Sequence, residues 1–486
     1  MGIQIRFRHV FGWPPLAWVA QCSDTEVVLA HGSRVETAQD WFAEAVWPGP
    51  FGDGGFDHTD LVFGSGGRVS QGTVTFVSSG STLDRLVSIQ VGKHAYVSNS
   101  LVALCAVLNL SVDPFSEEYC SNFRSIAAGL RQYKNILQTT QGPLRLTYFH
   151  NLRWEGRSLD VKEKPLGNRT FGTFEEYRRF LETSLSAINR NMVDPLRRWH
   201  YLPLGTLSTG YDSSTVATLA RTMGNAQVLT FHQGREGSSD SGETIAACLG
   251  LSSIVLDRTA WRQDPFSEVP FLAADAYGED MHFVAARSCL QGRVLLTGHH
   301  GDTVWGTGDY NLTPDIVRNG PPSGLSLTEW RLWVGFIHCS VPFFGVRNIE
   351  HIHRISTSEE MKPWSVGGDY DRPICRRIVE EAGVERELFG QRKNATTVKL
   401  WKHSEEFLPD ESMQDYMRWI RHHVPGWLRR RMVPPSWRVP AYSLISQLPG
   451  GWRLLSGKNA TYFYNLFPWA LETAKRRYMG MGFIFN

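Results

Sequence analysis

LSTGYDSSTVATLAR, Leu207–Arg221, closes an apolar run and opens a helical pattern. Ser208, Thr209, Gly210, Asp212, Ser213 and Ser214 crowd that junction. Two readings compete. Ser, Thr and Asp cap helices by accepting backbone N–H groups of the first turn. In the other reading the helix start, with its unpaired N–H groups and partial positive charge, cradles phosphate. Gly210 then lets the backbone approach a ligand, and Ser208, Ser213 and Ser214 add hydroxyl donors. A carboxylate at Asp212 would repel phosphate unless a cation intervened, and Mg²⁺ bridging the two removes the conflict. No GKS or GKT follows the glycine, so the stretch is not a Walker A loop.

Outward from this junction, strand and helix signals alternate. YLPLGTLS precedes it and STVATLARTM follows. QVLTFH (Gln227–His232), SGETIAACLG, SSIVL (Ser252–Leu256) and GRVLLTG (Gly292–Gly298) continue the series. The pattern predicts a parallel sheet with helices on both faces and a binding site at the carboxyl ends of its strands. Asp240 and Glu243 read as residues that cap and solvate the helix after QVLTFH. LLTGHHGDTVWGTG, Leu295–Gly308, follows the fourth strand, and its glycines predict a tight turn. There Asp302 would face Asp212, and two converging carboxylates can hold Mg²⁺ against a triphosphate. His299 and His300 read as ordinary hydrogen-bonded loop residues. The other reading gives His299 an amine's proton, which an unperturbed imidazole pKa suits.

The first third is rich in β signals. LVFGSGGRVSQGTVTFVSSG (Leu61–Gly80) alternates apolar and polar residues, RLVSIQVGKHAYVSNS (Arg85–Ser100) reads as a hairpin around Gly92, and LVALCAVLNL (Leu101–Leu110) reads as a helix. Stacked sheets with flanking helices are expected. Residues 158–172, with Pro165 and Gly167, read as a linker. Thr173 and Glu176 match a capping box that opens a helix with Tyr177, Phe180, Leu181, Leu185 and Ile188 on its apolar face. From Ser326 the chain reads mainly helical. LWVGFIHCSVPFFGV, Leu332–Val346, is too short to span a bilayer and reads as a buried helix ending near Pro342, with an interfacial segment as the alternative. WLRRRMVPPSWR, Trp427–Arg438, reads as a solvated face, or as a dock for a leader peptide, an anionic lipid surface or nucleic acid.

The 486 residues suit two domains, and 42% hydrophobic residues suit ordinary cores. A formal charge of +2 argues against a generic nucleic-acid binder. Seven scattered cysteines with no CxxC pair read as reduced thiols. The N-terminus lacks a signal-peptide pattern. A cytoplasmic protein without a transmembrane segment or a nucleic-acid partner is expected.

Ser208-Thr209-Gly210-Tyr211-Asp212-Ser213 resembles the SGGxDS PP-loop of ATP pyrophosphatases, with Thr209 in place of the first glycine. Such enzymes cleave ATP between the α and β phosphates and activate an oxygen as an adenylate. Thr297-Gly298, Gly301-Asp302 and Trp305-Gly306 resemble the SGEGxDExFGG loop of the asparagine synthetase family. His299, His300 and Thr303 stand where that family has Glu, Gly and a second Glu. Gly383–Lys402 resembles the family's late segment, which implies a phosphate-contacting lysine at Lys393, with Arg392 as the fallback; a solvated basic patch is the other reading. The resemblance covers residues 173–410. Leu83–Leu110 resembles the closing hairpin and helix of the family's glutaminase domain. That domain uses a cysteine directly after the initiator Met. Gly2 stands there, and Cys22 is expected inside the fold, so ammonia release from glutamine by that mechanism is excluded.

The resemblance therefore implies an α/β chain. Residues 1–165 would form a degenerate glutaminase-like αββα domain of the Ntn-hydrolase type. Residues 166–486 would form a PP-loop synthetase domain, adenine nucleotide alpha hydrolase-like, with a helical C-terminal part. It implies ATP-dependent amide formation through an acyl-adenylate, with ATP, Mg²⁺, a carboxylate substrate and an amine or ammonia. Ser208, Thr209, Gly210, Asp212, Ser213, Ser214, Gly298 and Gly301 would bind the nucleotide, Asp212 and Asp302 the metal, and Lys393 and His299 would be catalytic. The arrangement is similar to β-lactam synthetases and to lasso-peptide cyclases, whose loop GHHGD resembles somewhat more. Macrolactam closure would bring a precursor peptide and a processing protein; a sugar acid is the other substrate class. A non-catalytic ATP-binding or partner-binding protein is the reading from another class.

Overall fold

A computed structural model of the chain describes residues 3–114, 116, 118–167, 169–235, 237–308, 311–320, 322–400, 408–425, 465–480 and 485. Thirteen short strands occupy the first third: β1 (Gln4–His9), β2 (Trp18–Cys22), β3 (Glu26–His31), β4 (Glu36–Thr37), β5 (Trp41–Val46), β6 (Phe63–Ser70), β7 (Thr73–Val77), β8 (Arg85–Val91), β9 (His94–Ser98), β10 (Ile136–Thr139), β11 (Gly142–Tyr148), β12 (Asn151–Trp154) and β13 (Leu159–Lys162). They form one sheet in the order β1-β3-β2-β9-β8-β11-β10 and another in the order β13-β12-β7-β6-β5-β4. Period-two alternation sends Trp18, Ala20 and Cys22 of the first sheet and Phe42, Phe76 and Trp154 of the second into one shared core. Trp18 meets Phe42 edge-on at 5.0 Å and donates its indole N–H to Ser65. The expected hairpin pairs Val91 with His94 around Gly92, and Ser100 caps the helix Leu101–Val107 by accepting from Ala103 N.

The expected linker is partly a strand. Leu159–Lys162 pairs antiparallel with β12, and Arg169 grips Asp60 with two bonds of 2.6 Å. Thr173 then caps the helix Phe174–Met192, accepting from Glu176 N at 3.3 Å. Glu176 reaches back to Gly172 N, one residue before the cap.

A second layered unit follows. Strands β14 (Leu202–Thr206), β15 (Gln227–Phe231), β16 (Ser252–Leu256), β17 (Arg293–Thr297) and β18 (Ile337–Ser340) form an all-parallel sheet in the order β16-β15-β14-β17-β18. The chain builds outward from β14 on one side, then returns to start β17 on the other. That reversal leaves a crevice at the carboxyl ends of β14 and β17, where open α/β sheets bind ligands. Leu332–Val346 corrects the expected buried helix. It holds the end of the helix Leu327–Val334, a turn at Gly335 with φ 87°, and the edge strand β18. Both forms bury the same apolar residues, so composition does not separate them. Among the described residues no helix is long and apolar enough to cross a membrane.

Buried polar contacts join the two parts of the chain. Arg331 donates to both carboxylate oxygens of Glu44 at 2.7 and 3.1 Å and lies 3.0 Å from Asp84. Glu329 accepts from Ser100 Oγ and Leu101 N. The C-terminal helix Leu466–Met479 returns to the same region, where Lys475 donates to Asn109 Oδ1 and Leu110 O. Arg331→Ala would strand two carboxylates in the interior. We expect a loss of about 3–5 kcal/mol, read as a lowered Tm in thermal unfolding; an unchanged Tm would show that this triad does not hold the parts together.

Candidate functional site

Leu204 and Gly205 of β14 lie opposite Leu295 and Leu296 of β17, so the two strands release their following turns side by side. The helix Tyr211–Ala220 begins in the first turn with Gly210 at its N-cap and no side-chain cap. The hydroxyls shape the turn instead. Ser208 Oγ lies 2.8 Å from Ser213 Oγ and accepts from Gly210 N at 3.2 Å. Ser214 Oγ donates to the carbonyls of Ser208 and Gly210. Ordinary capping is therefore not the role of these serines, and the start of the helix keeps its positive end toward the crevice.

The second turn closes on the first. A side chain at Gly298 would lie 2.6 Å from Asp212 Cβ, and one at Gly301 would lie 2.7 Å from its carboxyl carbon. Asp212 is thus packed directly against the turn that carries Asp302. Arg372, at the N-cap of the helix Pro373–Glu381, ion-pairs with Asp212. Lys393, whose side chain is 69% exposed, places Nζ 3.9 Å from Asp302 Oδ2. Burial pushes the Asp212 carboxyl up and Asp302 adds to this, while Arg372 and Lys393 pull it down. The Arg372 guanidinium keeps its proton beside it, and the Asp212 side chain is 24% exposed. Burial acts on Asp302 in the same way, yet Arg372, Arg318, His300 and Lys393 outweigh it and hold that carboxyl below its usual range.

Two carboxylates in one space fit a magnesium ion shared with phosphate oxygens, since Mg²⁺ is commonly held by one or two carboxylates plus phosphates. They do not fit a site of protein ligands alone. Among the described residues no group of three or more His, Cys, Asp or Glu side chains could hold a metal.

Three expectations change. Asp240 does not cap the next helix, whose N-cap is Gly242. It is buried and accepts from Thr209 Oγ1 at 2.6 Å and Thr209 N at 3.3 Å, with Asn394 Nδ2 at 3.5 Å. The threonine in the loop is thus a tether, as is Gly390, whose N–H donates to Thr209 O at 2.8 Å. Glu243, by contrast, is exposed and bonded to Ser241. The premise for His299 also changes. Burial and the neighbouring His338 and Arg318 drive its pKa well below the ordinary value, so it stands neutral. Its Nδ1 lies 3.3 Å from Thr297 Oγ1. His300 is buried with φ 75° and has no hydrogen-bond partner on either ring nitrogen among the described residues. A left-handed backbone there favours glycine, which is what the resembling loop carries. Arg392 is not brought into these contacts, and Trp427–Arg438 lies outside the described residues.

Arg372 went unnoticed in the sequence. Its only local signal is the proline after it, which marks a helix start and says nothing of Asp212, 160 positions away. No family model matches the chain, and no curated protein matches it.

Burial pushes His282 and His338 down to about 3. Both are neutral in the fold and protonate near 6.5 when unfolded. Their contribution to stability is therefore complete above pH 6.5 and declines as pH falls toward 3, by about 1.4 kcal/mol per pH unit for each. His338→Leu should make the acid limb of stability against pH shallower by one such increment in urea titrations; an unchanged limb would refute the assignment.

Proposed function

We propose that the chain makes an amide bond at the expense of ATP, through an acyl-adenylate. The observation that carries this reading is the packing of Asp212 against the Gly298–Asp302 turn at the strand reversal, beside an uncapped helix start. The finer fold reading belongs with it. The parallel sheet supports a PP-loop synthetase domain in residues 166–486, and the two stacked sheets support a degenerate Ntn-hydrolase-like domain in residues 1–165. Cys22 is fully buried in β2, which does not suit it to act as a nucleophile, and the nitrogen donor of this reading is free ammonia or an amine.

Asp212 and Asp302 would hold Mg²⁺, which neutralises triphosphate charge when bound. The turn Ser208–Ser214 would take the β and γ phosphates. A substrate carboxylate oxygen bonds to the α-phosphorus, the α–β bridging bond breaks, and pyrophosphate leaves. Lys393 stabilises charge on the phosphates, and Arg372 stands within reach of the same space. Nitrogen then bonds to the acyl carbon, AMP leaves, and the nitrogen loses a proton. A neutral, desolvated His299 offers hydrogen bonding rather than proton storage for that step. A macrolactam-forming peptide and a sugar acid are the two substrate classes to try first.

The ion pair Arg372–Asp212 favours a second reading, in which nucleotide binds without turnover, because Asp212 already has a cation. Mass spectrometry of purified protein with ATP, Mg²⁺ and candidate substrates separates the two. We expect AMP, pyrophosphate and a product lighter by one water. Asp212→Asn, Asp302→Asn and Lys393→Ala should each slow ATP–pyrophosphate exchange by about 10²–10³-fold. Intact ATP with every substrate, and no exchange, would favour the second reading.

A further inference from the structure

The turn that carries Asp302 is crossed by a segment to which the reaction assigns no role. Residues 315–320 run from the N-terminal part of the chain to that turn. At one end the Asp315 carbonyl accepts from Leu130 N at 2.8 Å, its carboxylate accepts from Arg131 N at 3.3 Å, and Arg318 N donates to Ala127 O at 2.9 Å. Gly129, at φ 96°, is so close that any side chain there would lie 2.9 Å from Asp315 O. At the other end Asn319 N donates to Thr303 Oγ1 at 3.4 Å, and a side chain at Gly320 would lie 3.1 Å from Asp302 Oδ2. A little further on, Gly324 packs against the His299 ring and donates its N–H to the buried Asp280 carboxylate. The Arg318 side chain is buried here and donates to Ser323 O at 3.3 Å.

We propose that residues 315–320 are a strap by which the N-terminal part of the chain positions Asp302, with Arg318 as the positioning residue. The proposal rests on the reading of Asp302 as a ligand to a metal shared with phosphate. It gives the N-terminal part a mechanical contribution to the site. Arg318 N is held by Ala127 O and the next residue, Asn319, is held by Thr303, so a disturbance at residues 127–131 reaches the turn of Asp302 through adjacent residues of the strap. Arg318 is itself held on two sides, by its backbone N–H on Ala127 O and by its guanidinium on Ser323 O. Displacing a site group by about 1 Å can cost roughly 10²-fold, so a small shift of the strap is enough to measure.

The test uses the full-length protein and the variants Gly129→Ala, Asp315→Ala, Arg318→Ala and Arg318→Lys. Asp315→Ala removes one carboxylate contact and serves if Gly129→Ala fails to fold. Two measurements are made: amide hydrogen exchange across residues 299–305, and ATP affinity by calorimetry with Mg²⁺ and with EDTA. We expect Gly129→Ala and Arg318→Ala to exchange faster at 299–305. They should also lose about tenfold of the affinity gained with Mg²⁺, a difference of about 1.4 kcal/mol, and keep their affinity in EDTA. Arg318→Lys should recover most of the loss. Variants that match the unmodified chain in both measurements, while that chain binds ATP with Mg²⁺, would overturn the strap and leave the proposed function standing. A chain that binds no ATP under either condition would overturn both.

Discussion

The close approach of Asp212 to Gly298 and Gly301 is the contact on which the site depends. Two turns from parallel neighbours can share one space only if nothing intrudes between them, and a side chain at Gly298 would overlap Asp212 Cβ and backbone while one at Gly301 would overlap its carboxyl group. The approach also brings two carboxylates together in a crevice, where their repulsion is screened less than in open water. Arg372 and Lys393 answer that repulsion from the C-terminal part of the chain. With Arg318 counted among the charges acting on Asp302, three cations face two carboxylates.

The same economy governs the joint between the two parts of the chain. Arg331, Glu44 and Asp84 are each almost wholly removed from water. Such charges are tolerated only in each other's company. The helix that carries Arg331 begins at Leu327, just after the Gly324–Ser326 segment held by Asp280, and ends before β18. The joint is therefore continuous in sequence with the segment that packs against His299. The first third of the chain thus helps fix the position of the helix that leads into β18.

The helix capped by Thr173, the hairpin around Gly92 and four of the five parallel strands were legible in the sequence, because each rests on residues two to four positions apart. The fifth strand was not. Ile337–Ser340 is buried along its whole length, and a short apolar run carries no period that separates strand from helix. The crowding of hydroxyls at 208–214 pointed to a special turn, yet its tether to Asp240 was hidden, since a carboxylate near a helix start reads as a cap. His299 misled in the opposite sense. Its reference pKa suited proton transfer, and only burial, with Arg318 nearby, removes that property.

Local pattern by itself thus determined the alternation of strand and helix, the glycine-rich turns, and the candidate carboxylates 212 and 302. Tertiary structure alone decided that Asp212 packs against the turn of Asp302, that Arg372 pairs with Asp212, and that Gly390 and residues 319–320 reach the two turns. The reason is one of range. Periodicity and capping act within a few residues, whereas sheet order sets which distant turns emerge together, and desolvation sets the charge they carry once there.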